Sequence, residues 1–135
     1  MILGIGNDLC NITRIEDVLG RYGDRFLSHV MSEDEQRQVK ERPPAAQASM
    51  IAKRFAAKEA CAKALGTGIA EGVYLRDLRI ENAANGKPSL GIYGGALERL
   101  KALTPKGMVA RVDVSLSDDY PMAMAMVVIS AIPGA

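Results

Sequence analysis

The pattern of apolar and polar positions changes character halfway along the chain. Residues 2–8 (ILGIGND) are apolar and β-branched and run out at a polar Asn-Asp end, which predicts a short buried strand. Thr13-Arg14-Ile15-Glu16 has capping-box spacing and opens a helix through about Tyr22, weakened by Gly20 and Gly23. Ser32-Glu33-Asp34-Glu35 repeats the signature and starts a second helix, which stops before Pro43. Residues 47–65 carry the strongest helical pattern: alanine-rich, free of Gly and Pro, and ended by Gly66 as a C-cap.

Beyond Gly66 the period shortens. Residues 75–82 suggest a strand, and Asn85-Gly86-Lys87-Pro88 a turn into another at 89–93. Residues 96–103 read as a short amphipathic helix broken by Thr104-Pro105. Residues 109–117 alternate, with valines and leucine against Arg111, Asp113 and Ser115. Asp118-Asp119-Tyr120-Pro121 turns the chain, and residues 122–132 return as a mostly apolar strand. The order β-α-α-α-β-β-α-β-β argues for an α+β domain with a mainly antiparallel sheet. In that last strand Met122-Ala123-Met124-Ala125-Met126 alternates large and small residues. This suits a strand packed on both faces, and a partner subunit could supply one of the covers.

Composition narrows the class. A chain of 135 residues fits a single domain, 1–135, and buries roughly two-thirds of its unfolded surface without needing disulfides. Cys10 and Cys61 lie far apart in apolar surroundings and match no metal spacing, as expected of reduced core thiols in a cytoplasmic protein. Met1 leads directly into ILGIGNDL, with no basic segment and no cleavage site, so no secretory signal is expected. The apolar run at 122–129 is far short of the roughly 20 residues a bilayer requires, so no membrane insertion is expected. Seventeen basic and sixteen acidic residues nearly cancel, and Trp is absent. Neither charge nor stacking surface therefore favours nucleic acid as a partner.

Candidate chemistry starts on the long helix. Glu59 follows Ile51 and Phe55 at intervals of four and so continues an apolar row, where a carboxylate is costly without a cation, donor or metal. Lys63 stands one turn further on, in the favourable order for an ordinary helix ion pair. Asp8 closes the first strand after Gly4-Ile5-Gly6, where a carboxylate can bind a metal or cap a helix. Thr13 is already available as a cap. Gly4-x-Gly6 lacks the third glycine of a dinucleotide fingerprint. Gly66-Thr67-Gly68 could offer backbone N–H groups to a phosphate, although a loop that ends a helix has the same composition. Arg14, Arg21 and Arg25 share one face if their helix persists through Gly23, either as a solvated face or as a basic strip for an acidic protein. His29 is the single histidine, and no Ser-His-Asp or Cys-His set can be built around it.

Taken in order, GIGNDLCNITRIE, RFLSHVMSEDE, KRFAAKEACAKALGTGI, NGKPSL and VDVSLSDDYPMAMAMVVI resemble the holo-acyl-carrier-protein synthases, the bacterial short-chain 4′-phosphopantetheinyl transferases. The resemblance runs almost end to end. It implies the 4′-phosphopantetheinyl transferase-like fold, with its antiparallel sheet packed on a long helix. The implied activity is Mg²⁺-dependent transfer of 4′-phosphopantetheine from coenzyme A to a serine of apo-acyl carrier protein, releasing adenosine 3′,5′-bisphosphate and supporting fatty acid biosynthesis. Carried over residue by residue, Asp8 and Glu59 would be the metal ligands, with Glu59 and Lys63 catalytic. Lys63 would reach the phosphate oxygens, and Lys58 is a second candidate for that task. Lys53, Arg54, Lys58, Gly66, Gly68 and Pro88 would line the coenzyme A groove, and Arg14, Arg21 and Arg25 would face the acidic carrier protein. Such proteins are typically homotrimers with active sites between subunits, which agrees with the apolar last strand.

One departure bears on mechanism. Many relatives carry a histidine in or just after the strand that here reads Arg111-Val112-Asp113-Val114-Ser115, and this chain has Asp113 and Asp118 instead. The base that activates the serine is thereby unassigned, with Glu59 or a water held at the metal as the alternatives. Two other readings stand beside the transferase: a non-catalytic oligomer binding coenzyme A or a nucleotide, and a generic magnesium phosphohydrolase.

Overall fold

The computed structural model describes residues 1–134. Strand β1 (Ile2–Asn11) leads into four helices: α1 (Ile12–Tyr22), α2 (Asp24–Val30), α3 (Glu33–Lys40) and the long α4 (Pro44–Leu65). A 3₁₀ turn at Leu75–Asp77 precedes a hairpin, β2 (Leu78–Asn82) and β3 (Pro88–Ile92). Helix α5 (Gly94–Leu103) and the strands β4 (Met108–Asp119) and β5 (Met122–Pro133) complete the chain. The α+β class and the antiparallel pairing follow the sequence reading. The strands form two sheets, β1-β5-β4 and β2-β3.

The helix count differs from the sequence pattern because the chain breaks at Gly23. Its φ of 52° ends α1, and Asp24–Val30 forms a helix of its own. The cap of α1 also differs. Strand β1 runs on to Asn11, whose Oδ1 accepts hydrogen bonds from Thr13 N (2.9 Å) and Thr13 Oγ1 (2.6 Å), so Asn11 and not Thr13 closes the helix. Glu16, freed from any capping box, accepts from the Tyr120 hydroxyl at 2.7 Å. The second predicted box is made in full: Glu35 N donates to Ser32 Oγ at 3.3 Å and Ser32 N to Glu35 Oε1 at 3.1 Å.

Helix α4 starts three residues before the predicted point because Pro44 suits its first turn. It ends at Gly66, left-handed with φ 82°. It is the axis of the core, buried at Ile51, Ala52, Ala56, Ala57, Ala60, Cys61 and Leu65. Strand β1 rides directly on its backbone. A Cβ at Gly4 would fall 1.9 Å from the carbonyl oxygen of Ala64, and one at Gly6 would fall 2.0 Å from that of Ala60. The Gly4-x-Gly6 pair is therefore a packing device, in which the missing side chains let a strand touch a helix.

Strand β5 is central in its sheet, flanked by both antiparallel neighbours. Its inward row, Ala123, Ala125, Val127, Ile129 and Ala131, is buried. Its outward methionines are not: Met122, Met124 and Met126 are 37%, 47% and 43% exposed, and Ile5 and Leu9 on β1 are 58% and 63% exposed. Within one chain the strands are thus packed on a single face, contrary to the expectation of two covered faces for β5 and of a buried β1.

Candidate functional site

The Gly4–Ala64 and Gly6–Ala60 contacts fix the register of β1 against α4, and that register carries Asp8 to the helix face bearing Glu59 and Lys63. Side chains on a helix lean toward its N-terminus. Lys63 accordingly reaches back along α4, and its Nζ donates to Asp8 Oδ1 at 2.9 Å and to the Asn7 carbonyl at 3.0 Å. The ordinary Glu59–Lys63 helix pair is not made: among the described residues Lys63 forms its ion pair with Asp8. Glu59 is half-buried beside them. Burial pushes its carboxyl pKa above the usual range, and the Asp8 carboxylate pushes in the same direction, against the opposing pull of Lys63. Cys10 feels the same surroundings. Burial raises its thiol, followed by repulsion from Asp8, while Arg14 works the other way.

Two neighbouring carboxylates and one ammonium on apposed elements form a small electrostatic device. Its carboxylates repel each other, and a hard divalent cation with oxygen-ligand preference would relieve that repulsion. Among the described residues no group of three or more His, Cys, Asp or Glu side chains gathers around a point. Any cation at Asp8 and Glu59 would therefore complete its shell from water and substrate oxygens.

The other expected residues divide. Lys53 and Arg54 line a hollow of about 180 Å³ together with Arg42, Ser49, Ile80 and Asn82. Pro88 stands opposite Asn82 across the hairpin but does not itself line the hollow. Lys53 Nζ is paired with Asp118 at 3.2 Å. Lys58 does not belong to the set. It is fully buried, with Nζ 2.7 Å from Glu35 Oε1 and 3.0 Å from the Leu75 carbonyl, so it cannot reach a phosphate. The family resemblance carried it over beside Glu59, but one residue along a helix is a turn of about 100°, enough to send it into the core. Gly66 and Gly68 close the helix with their own N–H groups, which donate to the Lys63 and Ala62 carbonyls at 3.0 and 3.1 Å. Neither N–H is free for a phosphate, although no atom lies within 4 Å of the position a Cβ would take at Gly68.

Arg14, Arg21 and Arg25 are all exposed. Arg14 and Arg21 share one helix, and the Gly23 break places Arg25 on the next. The chain's only two phenylalanines, Phe26 and Phe55, line a hollow of about 210 Å³ with Leu9, Arg14 and Val18. Phe26 also borders a second hollow with Tyr22, Arg25 and His29. The sequence reading missed both phenylalanines as surface features. Their scarcity in a chain of this size was the available signal. Asp113 is tied to Arg111 at 2.9 Å on the outer sheet face, and Asp118 is tied to Lys53.

This fold and this carboxylate site define a class. Residues 4–125 match the model of the 4′-phosphopantetheinyl transferase superfamily. A holo-[acyl-carrier-protein] synthase of Rhodopseudomonas palustris (strain HaA2) is 53% identical, over 100% of this chain and 97% of its own. The crystal structure of the corresponding Neisseria meningitidis protein is 37% identical with a TM-score of 0.82, covering 96% of this chain and 99% of that one. The Helicobacter pylori protein, solved in complex with coenzyme A, is 31% identical with a TM-score of 0.77, covering 93% and 99%. The chain belongs to this superfamily and, within it, to the holo-[acyl-carrier-protein] synthase enzymes.

Proposed function

We propose that the protein transfers 4′-phosphopantetheine from coenzyme A to a serine of apo-acyl carrier protein, releasing adenosine 3′,5′-bisphosphate, in a Mg²⁺-dependent reaction that supports fatty acid biosynthesis in the cytoplasm. The observation that carries this reading is the meeting of Asp8, Glu59 and Lys63 across β1 and α4. Family membership and a relative solved with coenzyme A support it.

Asp8 and Glu59 would hold the magnesium ion, and the Glu59 pKa, raised first by burial and then by the Asp8 carboxylate, reflects the cost of holding a carboxylate ionised there without the metal. When bound, the metal supplies charge neutralisation at the pyrophosphate. In the reaction the serine oxygen bonds to the phosphorus bearing pantetheine as the pyrophosphate P–O bond breaks, and adenosine 3′,5′-bisphosphate leaves with that electron pair. Lys63 places an ammonium beside Asp8 where phosphate oxygens gain charge. The serine proton must pass to a base. Glu59 and a water at the site are the alternatives for that role.

The cation-lined hollow of Arg42, Lys53 and Arg54, with Asn82 and neighbouring Pro88, would take the nucleotide end of coenzyme A. Gly66 and Gly68 would contribute by lacking side chains at the end of α4. Arg14 and Arg25, which line the phenylalanine hollows, and the exposed Arg21 would receive the acidic carrier protein. The open row of Leu9, Met122, Met124 and Met126 would be covered in a homotrimer, with active sites between subunits.

The test is incubation of apo-carrier protein with coenzyme A, Mg²⁺ and this protein, followed by intact-mass measurement with and without chelator. A mass gain equal to phosphopantetheine, abolished by chelator, is expected. No gain, with coenzyme A still bound, would instead identify a non-catalytic binding protein. Phosphate release from nucleotides without carrier protein would identify a phosphohydrolase.

A further inference from the structure

Glu35 occupies the third position of α3 and is only 2% exposed. Its carboxylate serves four groups: two on α4, one on β2 and one at the N-cap of its own helix. Oε1 accepts from Ser32 N at 3.1 Å and Lys58 Nζ at 2.7 Å, Oε2 accepts from Ile80 N at 3.3 Å, and Arg54 Nη1 stands 3.8 Å from Oε2. Lys58 and Arg54, at 0% and 3% exposure, are as buried as Glu35. Two buried cations thus share one buried anion, and the division is unequal. Lys58 takes the short contact and Arg54 the long one, while the neutral Gln38 Oε1 accepts from Arg54 Nη1 at 2.7 Å.

A guanidinium stays charged even where burial lowers its pKa, and among the described residues Glu35, at the longer 3.8 Å and shared with Lys58, is the one carboxylate that forms an ion pair with Arg54. An unbalanced buried charge is costly unless something on its open side answers it. That open side is the hollow in which Arg54 meets Arg42, Lys53, Ile80 and Asn82. Lys53 is engaged by Asp118 at 3.2 Å, so Arg54 and Arg42 are the cations left to meet an anion there.

We infer that Glu35 is a positioning residue for the coenzyme A groove: held by Lys58, its carboxylate fixes Arg54 and Ile80 in the wall without neutralising Arg54, whose charge is thereby presented to a phosphate of the ligand. This rests on the proposed coenzyme A reading. The Lys58–Glu35 pair, which touches no ligand, then sets ligand affinity from inside the core.

The test uses the full chain with Mg²⁺ and coenzyme A in titration calorimetry, with melting curves to establish folding. In Lys58→Met the carboxylate is released to pair with Arg54 alone, and coenzyme A should bind roughly tenfold more weakly, as on losing one charge-assisted contact. In the double variant Glu35→Gln/Lys58→Met the amide still accepts at the wall but carries no charge, and affinity should return to within about threefold of the parent, the residual scatter allowed for coupled neighbours. The KM for carrier protein should remain at the parent value in both. A merely structural network predicts the opposite order, with the double variant, which has lost every ionic contact, binding no better than the single one. That order, or unchanged affinity in Lys58→Met, overturns the inference. If Lys58→Met does not fold, the double variant decides alone: parent-like affinity supports the inference and tenfold weakening overturns it. Failure of the parent to bind coenzyme A would instead reject the functional reading beneath it.

Discussion

Lys63 Nζ lies 2.9 Å from Asp8 Oδ1, a pairing that spans 55 positions of the chain and displaces the Glu59–Lys63 contact available one helical turn away. The reason is direction. Lys63 leans back along α4 toward β1, and the strand is close enough to receive it because Gly4 and Gly6 have no side chains to hold it off. Glu59 is left half-buried beside Asp8 with its repulsion only partly answered.

The stability of that arrangement should therefore run against its activity. Glu59→Gln is expected to abolish carrier-protein modification while making the metal-free protein, in chelator, more stable at neutral to mildly alkaline pH. Burial and Asp8 penalise the ionised carboxylate only in the folded state, so its folded pKa is raised. The parent is thus relatively destabilised once pH exceeds that pKa. As pH falls through the raised pKa the parent takes up a proton and the two stability curves converge. Melting temperature against pH checks this, and a Glu59→Gln protein less stable than its parent at neutral pH would refute it.

Gly6→Ala should damage fold and site together. The new Cβ would meet the Ala60 carbonyl at 2.0 Å, a backbone atom that cannot swing aside. Overpacking of this kind costs roughly 1–3 kcal/mol, and a backbone obstacle favours the upper end. Urea unfolding should show the lowered midpoint, and turnover should fall with it as β1 lifts Asp8 away from Lys63. A variant with the parent's midpoint would mean that β1 does not ride on α4.

Arg14→Ala should raise the KM for carrier protein and leave that for coenzyme A unchanged, because Arg14 borders the phenylalanine hollow while the cation-lined hollow belongs to other residues. A several-fold effect that shrinks with added salt is expected of an exposed charge. Steady-state kinetics at two ionic strengths measures it, and an unmoved carrier-protein KM would dismiss the basic strip.

Met124→Glu places a charge in the middle of the open face, where Leu9 is its direct neighbour on β1. If that face is the interface of the proposed homotrimer, sedimentation should show a shift to monomer, and activity should fall because the proposed sites lie between subunits. An unchanged sedimentation mass would move the interface elsewhere on the molecule.

Much of this architecture follows from short-range rules. Ser32 with Glu35 closes a capping box, Gly66 stops α4 and Asn85-Gly86 turns the hairpin, because each depends on residues three or four positions away. The ordered motifs likewise single out Asp8, Glu59 and Lys63. What the sequence could not assign was which side chains meet across elements. Asn11 replaced Thr13 as a cap because β1 ran longer than its apolar stretch, and Lys58 went into the core because α3 brought Glu35 to meet it. Lys63 turned to Asp8 because two glycines let a strand touch a helix. The sequence by itself determined local conformation and the inventory of charged groups. Only the tertiary structure decided which charges are paired, buried or left facing a ligand, since that depends on contacts between elements far apart in the chain and on the desolvation those contacts impose.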